Sequence, residues 1–191
     1  MPKRLRFIVY SVLLGLSVYM YTLSGQRPVE TQPQSSSTES QQTIRVDPLR
    51  HTASLGIDRA DLTRFFERSP FELRFDFVPL ADGRSRVIGR SEDGRTTLEL
   101  IGPPEGVTSA HLMTALPEDS PLVRLRNLNA VSLLVEIALA DWAGAPDWVG
   151  TNIDRAFGGN SVSTQTVGKT VTMSRTPQTE TLVVTIAGPP L

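Results

Sequence analysis

The sequence predicts an α+β domain built from an antiparallel sheet of about six strands, with helices on one face of the sheet. Three observations predict it: a strand-like alternation near residue 75, tight-turn signals between successive short segments, and a long helical repeat of apolar residues after residue 120. The predicted order is α-ββββ-αα-ββ. Packing helices against one face of an antiparallel sheet is the usual way to bury such elements.

The first predicted helix runs from Arg59 to about Arg68. Asp58 is a natural N-cap for it, and Pro70 ends it. The following segment alternates apolar and charged residues, which is the period of a strand with one buried face. We expect that buried face to consist of Phe71, Leu73, Phe75 and Phe77.

Turn signals separate the next strands of the predicted meander. Asp82-Gly83 and Asp93-Gly94 are hairpin dipeptides. The predicted strands are Arg84 to Arg90, Thr96 to Ile101 and Val107 to Leu116. Loops this short indicate antiparallel neighbours.

Two helices and two strands complete the prediction. Asp119 or Ser120 caps a long helix with Pro121 at its first position, and Gly144 separates that helix from a shorter one. The apolar positions of the long helix recur at three- and four-residue steps: Leu122, Leu125, Leu128, Val131, Val135, Leu139 and Trp142.

The shorter helix runs from Pro146 to about Phe157. One strand is expected within Ser161–Arg175 and the last within Thr181–Ala187. We expect the last strand to lie at a sheet edge, where it is able to pair with another chain.

The N-terminal segment 1–25 predicts a membrane helix. Lys3, Arg4 and Arg6 precede a run from Phe7 to Gly25 that has no charged residue. A helix over that run is about 28 Å long, close to the roughly 30 Å of a bilayer's hydrocarbon core. The cations are expected to stay in the cytoplasm, which places the rest of the chain outside the inner membrane.

A cleaved signal peptide is the alternative interpretation, with the product secreted or periplasmic. The apolar run is longer than the middle region of most signals, which favours a retained anchor. Residues 26–42 are poor in aliphatic side chains and predict a disordered linker. The remaining residues, 43–191, form the predicted extracytoplasmic domain, large enough for one hydrophobic core.

Composition excludes several functions. After residue 25 the chain has 16 basic and 20 acidic side chains, a formal charge of −4, so a nucleic-acid partner is not expected. The absence of Cys rules out thiolate catalysis and disulfides. The sequence also contains no His/Cys cluster or metal-binding motif, and we expect neither a metal nor a cofactor.

Candidate catalytic residues are few. His51 follows the linker, and His111 lies on the fourth predicted strand, facing away from its more apolar side. A solvated strand histidine explains His111 without a catalytic role, because position alone supplies no charged partner.

Two pairs of residues are candidates for binding. Trp142 and Trp148 flank a bend between two helices that also carries acids, a setting that suits a sugar or a peptide; packing between helices and sheet is the alternative. Arg124 and Arg126 suit an anionic partner, with a solvated helix face as the alternative.

The sequence therefore favours a membrane-tethered envelope module that binds a protein or peptide partner and has no evident catalytic site. The alternative is a hydrolase that uses two carboxylates on an envelope polymer. A deep cleft that holds two carboxylates, or an acid facing His111, favours the enzyme; a flat or shallow apolar patch around Trp148 favours binding.

Overall fold

A single antiparallel sheet of seven strands forms the scaffold of the chain. The computed structural model describes residues 53–176, 179 and 181–189. The predicted membrane helix and linker lie outside the described residues. Among the described residues, no helix is both long and apolar enough to cross a membrane.

The elements follow the order α-ββββ-αα-βββ. The helices are α1 (Arg59–Phe66), α2 (Pro121–Ala138) and α3 (Ala145–Phe157). The strands are β1 (Arg74–Phe77), β2 (Arg86–Arg90), β3 (Thr96–Ile101), β4 (Ser109–Ala115), β5 (Val162–Thr166), β6 (Lys169–Thr176) and β7 (Thr181–Ala187).

The strand order across the sheet is β1-β2-β3-β4-β7-β6-β5. It consists of two meanders, β1–β4 and β5–β7, joined where β4 pairs with β7. That junction pairs Leu112 with Val184. The α+β class is therefore confirmed, with a sheet of seven strands where about six were expected.

The hydrophobic core lies between the sheet and the helices. Side chains along each strand alternate between the two faces of the sheet, and the apolar side chains on the helix-facing side are buried. They are Leu98 and Leu100 of β3, Ala110 and Leu112 of β4, Val171 and Met173 of β6, and Leu182, Val184 and Ile186 of β7. Leu62 and Phe66 of α1, Leu134 of α2 and Val149 of α3 belong to the same buried cluster. Burial of these side chains is the main source of stability.

Helix ends are anchored in different ways. Asp58 caps α1 as predicted, and its Oδ1 accepts a hydrogen bond from the Ala60 amide at 2.7 Å. Ser120 is the N-cap of α2 but makes no side-chain cap; Pro121 begins the helix. At the other end of α2, Lys169 Nζ donates to the Ala138 carbonyl at 2.6 Å, where a cation complements the helix dipole.

The expected edge position of the last strand is wrong. β7 lies between β4 and β6, and Leu182, Val184 and Ile186 are fully buried. Its two neighbours leave β7 no free side for another chain. β7 pairs with β4, some 70 residues earlier in sequence, and local sequence patterns do not predict a pairing over that distance.

The extra strand comes from a hairpin within the segment predicted as one strand. Val167 and Gly168 both adopt positive φ, 44° and 74°, and connect β5 to β6. Two such residues define a two-residue hairpin turn. The sequence lacks the usual Asn-Gly or Asp-Gly signal there, so this turn was missed.

The first strand is shorter than its alternation predicts. Leu73 is buried and Phe75 packs against the core, but β1 begins only at Arg74, and Phe77 is 63% exposed. Phe77 lies on the helix-facing side of the sheet margin. The prediction that Phe77 is buried with Phe71, Leu73 and Phe75 is therefore wrong.

Candidate binding surfaces

The sheet face turned away from the helices is a surface that all seven strands build. We call it the open face. It follows from strand alternation, because every second side chain of β1 to β7 points away from the core. Its central row, read through the strand pairing, runs Ile88, Glu99, His111, Thr185, Thr172 and Ser163.

His111 occupies the middle of this row. Its Nδ1 lies 3.2 Å from Thr185 Oγ1 on the neighbouring strand, and Glu99 is its paired residue on the other side. Burial lowers the pKa of His111, and the nearby Glu99 carboxylate partly opposes that effect. His111 thus faces away from the core as predicted, but it is half-buried and lies next to an acid.

Glu99 is already engaged by a cation. Arg86 Nη1 lies 3.0 Å from Glu99 Oε1, and these two side chains are 23% and 21% exposed. Farther toward the sheet margin, Arg90 and Asp76 form a second ion pair at 3.7 Å. The charges on the β1–β3 side of the open face are therefore largely neutralised within it.

The row Glu99-His111-Thr185 resembles an acid, a base and a hydroxyl only in order. Nucleophilic catalysis on an acyl group also needs N–H donors that point at the developing oxyanion. The backbone amides of β3, β4 and β7 donate to neighbouring strands within the plane of the sheet. Among the described residues, these three strands therefore offer no backbone oxyanion site beside Thr185.

Apolar side chains flank the polar row. Ile88, Ile101, Met113 and Val183 all lie on the open face by strand alternation. Met113 is 38% exposed and the other three are partly exposed. Partly exposed apolar side chains interleaved with short hydroxyls are typical of protein interfaces.

The two tryptophans lie together at the corner between α2 and α3. Their ring centroids are 6.1 Å apart and the ring planes are tilted by 53°. Both rings are partly buried against the core. The chain turns tightly here, since a Cβ on Gly144 would lie 3.0 Å from Trp142 Nε1. The corner thus shows packing, and binding by Trp142 and Trp148 stays a prediction.

The two arginines of α2 make contacts within the domain. Arg124 Nη1 donates to the Leu116 carbonyl at 3.3 Å, and its guanidinium lies 5.3 Å from the centroid of the Phe157 ring. Arg126 Nη2 lies 2.7 Å from Asp93 Oδ2 in the β2–β3 turn. Binding of an anionic partner by either arginine also stays a prediction.

A cleft of about 230 Å³ lies beside Arg126. Its lining residues come from the segment after α1, from the β2–β3 turn and from α2: Pro70, Phe71, Glu72, Ser91, Glu92, Asp93 and Arg126. Burial opposes ionisation of Asp93, but hydrogen bonds from Ser91, Arg126 and the Arg95 amide outweigh it and lower the pKa of Asp93 to about 2.

No metal centre emerges from these surfaces. Within residues 53–176, 179 and 181–189, no three His, Asp or Glu side chains are grouped so that they could hold a metal ion. His51 lies outside the described residues.

Sequence reasoning missed the open face as a candidate site, although part of its signal was present. The alternation in β3, β4 and β7 assigns residues to two faces, but the strand order is needed to bring His111 beside Thr185.

No family model matches this chain, and comparisons with curated proteins and with solved structures find no significant match.

Proposed function

We propose that this chain is a membrane-tethered, extracytoplasmic interaction module of the cell envelope, and that its open face binds a protein partner. The tether and the address rest on the basic, apolar N-terminal segment. The binding role rests on one structural observation, the open face around His111, Met113 and Val183, where short hydroxyls and partly exposed apolar side chains lie together.

We infer the kind of partner from the chemistry of the open face. Its ion pairs are satisfied internally, and its centre carries Thr, Ser and partly exposed apolar side chains. A folded protein surface with few charges and a modest apolar patch complements it, because desolvating a strongly charged partner against this face would gain no new ion pairs.

Binding through the open face is tested with two matched variants of the full chain. Val183→Arg places a bulky charge at the centre of the open face. Leu122→Arg makes the same change on α2, where Leu122 is 82% exposed. A partner recovered from envelope extract should lose at least about tenfold in affinity for the first variant and bind the second normally.

Two results would refute this assignment. One is equal binding of both variants by the recovered partner, with both proteins folded as judged by thermal unfolding. The other is loss of binding only on substitution of Trp142 or Trp148, which would move the site to the tryptophan corner.

The second candidate function is the carboxylate-based hydrolase, which the cleft beside Arg126 favours because Glu72, Glu92 and Asp93 line it. Such a hydrolase needs one carboxyl group kept protonated as the acid. Asp93 is held ionised. Among the described residues, Glu136 on α2 is the carboxyl group whose pKa is raised, by burial, and it does not line the cleft.

The hydrolase candidate is tested by incubating the full chain with envelope polysaccharide and measuring released reducing ends. We expect no release above that of an Asp93→Asn variant. Release that is lost in that variant would support the hydrolase instead.

A further inference from the structure

The two outer strands of the sheet differ in how they are protected. Outer strands expose unpaired backbone groups, and proteins commonly block them with charges, prolines or short length. β1 has these protections: it has four residues, carries Arg74 and Asp76, and is followed by Pro79. β5, the other outer strand, reads VSTQT and has neither a charge nor a proline.

The hairpin that joins β5 to β6 shows which backbone groups of β5 are free of that pairing. Thr166 and Lys169 flank the two-residue turn and are paired. The residues next to such a turn form a hydrogen-bonded pair, and hydrogen-bonded pairs alternate along an antiparallel ladder. The N–H and C=O groups of Ser163 and Gln165 therefore point to the outer edge.

We propose that β5 pairs with β5 of a second copy of this chain, antiparallel, about a two-fold axis through Thr164. In that register Ser163 opposes Gln165 of the other copy, and the reverse, so the four outward N–H groups find the four outward C=O groups. Thr164 opposes itself as a pair without backbone hydrogen bonds.

The observations favour a second copy as the occupant. The outward groups are symmetric about Thr164, so the strand is complementary to itself, as a two-fold interface requires. The strand is uncharged, so two identical edges do not repel each other. A head-to-tail pairing of β5 with β1 would instead bring in the charged, short edge and leave an open chain of copies.

The helix layer leaves room for this pairing. α3 packs mainly against β6, one strand in from the edge. In the paired sheet the two β6 strands lie three strand spacings apart, about 14 Å. Packed helices approach to about 8–10 Å, so the two α3 helices do not collide.

The contact is small. One five-residue strand pair buries less than the roughly 1,200–2,000 Å² of a stable complex, so association should be weak in dilute solution. The proposed membrane tether would raise the local concentration of the domain and so favour the dimer; this effect alone rests on the proposed function.

The absence of cysteine makes a clean disulfide test possible in the full chain. Thr164→Cys places its thiol beside that of the second copy, with Cα atoms about 4.5 Å apart in a pair without backbone hydrogen bonds, within the roughly 4.4–6.8 Å that a disulfide spans. Thr166→Cys is the matched control on the same face of the same strand. Its symmetric partner is about 14 Å away along the strands, too far to be bridged.

Under mild oxidation of the full chain, we expect a covalent dimer to form at least about tenfold faster from Thr164→Cys than from Thr166→Cys. Adding Gln165→Pro to the Thr164→Cys variant should abolish that preference, because it removes an outward N–H that β6 does not use. Thermal unfolding checks that this double variant folds.

Equal rates at both positions, or no dimer at either, would overturn the proposal. A Thr164→Cys adduct with a different protein would also overturn it and would indicate strand addition by a partner. The comparison of positions works in membranes or with purified chain. The test of β5 pairing therefore does not depend on the membrane tether. If β5 pairing fails but Val183→Arg still weakens partner binding, the proposed function of the open face stands and only the β5 dimer is refuted.

Discussion

The ion pair between Asp93 and Arg126 makes the stability of the domain depend on pH in a calculable way. Asp93 Oδ2 accepts from Arg126 Nη2 at 2.7 Å, and its Oδ1 accepts from Ser91 Oγ at 2.6 Å. These contacts tie the β2–β3 turn to α2. Asp93→Asn removes the charge and keeps the size of the side chain.

The magnitude follows from the pKa of Asp93. Lowering that pKa from its ordinary value of 3.8 to about 2 corresponds to at most about 2.4 kcal/mol of folding free energy. The side chains of Asp93 and Arg126 are 33% and 25% exposed, so solvent screens the interaction. We expect Asp93→Asn to cost about 1 kcal/mol at pH 7.

The sign of the pH dependence follows from the direction of the shift. A depressed carboxyl pKa stabilises the fold fully above the unfolded pKa of 3.8 and loses its effect as pH falls toward 2. The free energies of unfolding of the wild type and Asp93→Asn should therefore differ at pH 7 and converge between pH 3.8 and 2.

The assay is urea unfolding of the full chain from pH 7 down to pH 2.5, with Glu92→Gln as control. Glu92 is the exposed neighbouring carboxylate in the same turn, and its replacement controls for the loss of one negative charge with the ion pair between Asp93 and Arg126 intact. An Asp93→Asn protein as stable as wild type at pH 7, or a difference at pH 2.5 as large as the difference at pH 7, would refute the reasoning.

Three further substitutions test the packing around the same sheet. Asn127 is 1% exposed and donates from Nδ2 to the Ala115 carbonyl at 2.6 Å, so Asn127→Leu should lower the free energy of unfolding by about 2–4 kcal/mol, and a loss under 1 kcal/mol in urea unfolding would contradict this. A Cβ on Gly89 would lie 2.5 Å from Phe75 Cε1, so Gly89→Ala should cost about 1–3 kcal/mol, and an unchanged melting temperature would argue against that contact. Burial lowers the pKa of His111 in the folded protein, so the unfolded chain binds a proton at this histidine at a higher pH, and stability should fall as pH drops below 6.5. His111→Gln should lessen that fall. Identical urea unfolding of the wild type and His111→Gln from pH 7 to 5 would contradict this prediction.

Local patterns predicted most of the elements because each depends on neighbouring residues. Asp58 caps α1 through the amide two residues later, and Pro121 begins α2 where its missing N–H costs nothing. The turn at Val167-Gly168 escaped prediction because a β-branched residue rarely adopts the positive φ that Val167 adopts here.

The features that the sequence did not predict depend on contacts between residues far apart in the chain. The position of β7 depends on its register with β4, which sets Leu112 opposite Val184. The same pairing brings His111 to Thr185 and creates the candidate site. The contact between Arg126 and Asp93 likewise joins residues 33 positions apart. From the sequence alone, Arg126 is therefore interpreted as a solvated arginine or as a ligand for an anionic partner.

The most direct test of the proposed function is site-specific photo-cross-linking of the full chain in its native membrane. A photoreactive residue replaces Val183 on the open face in one protein and the exposed Leu122 on α2 in another. We expect one discrete protein adduct from position 183 and none from position 122. An adduct from position 122 alone, or the same diffuse products from both, would contradict binding through the open face.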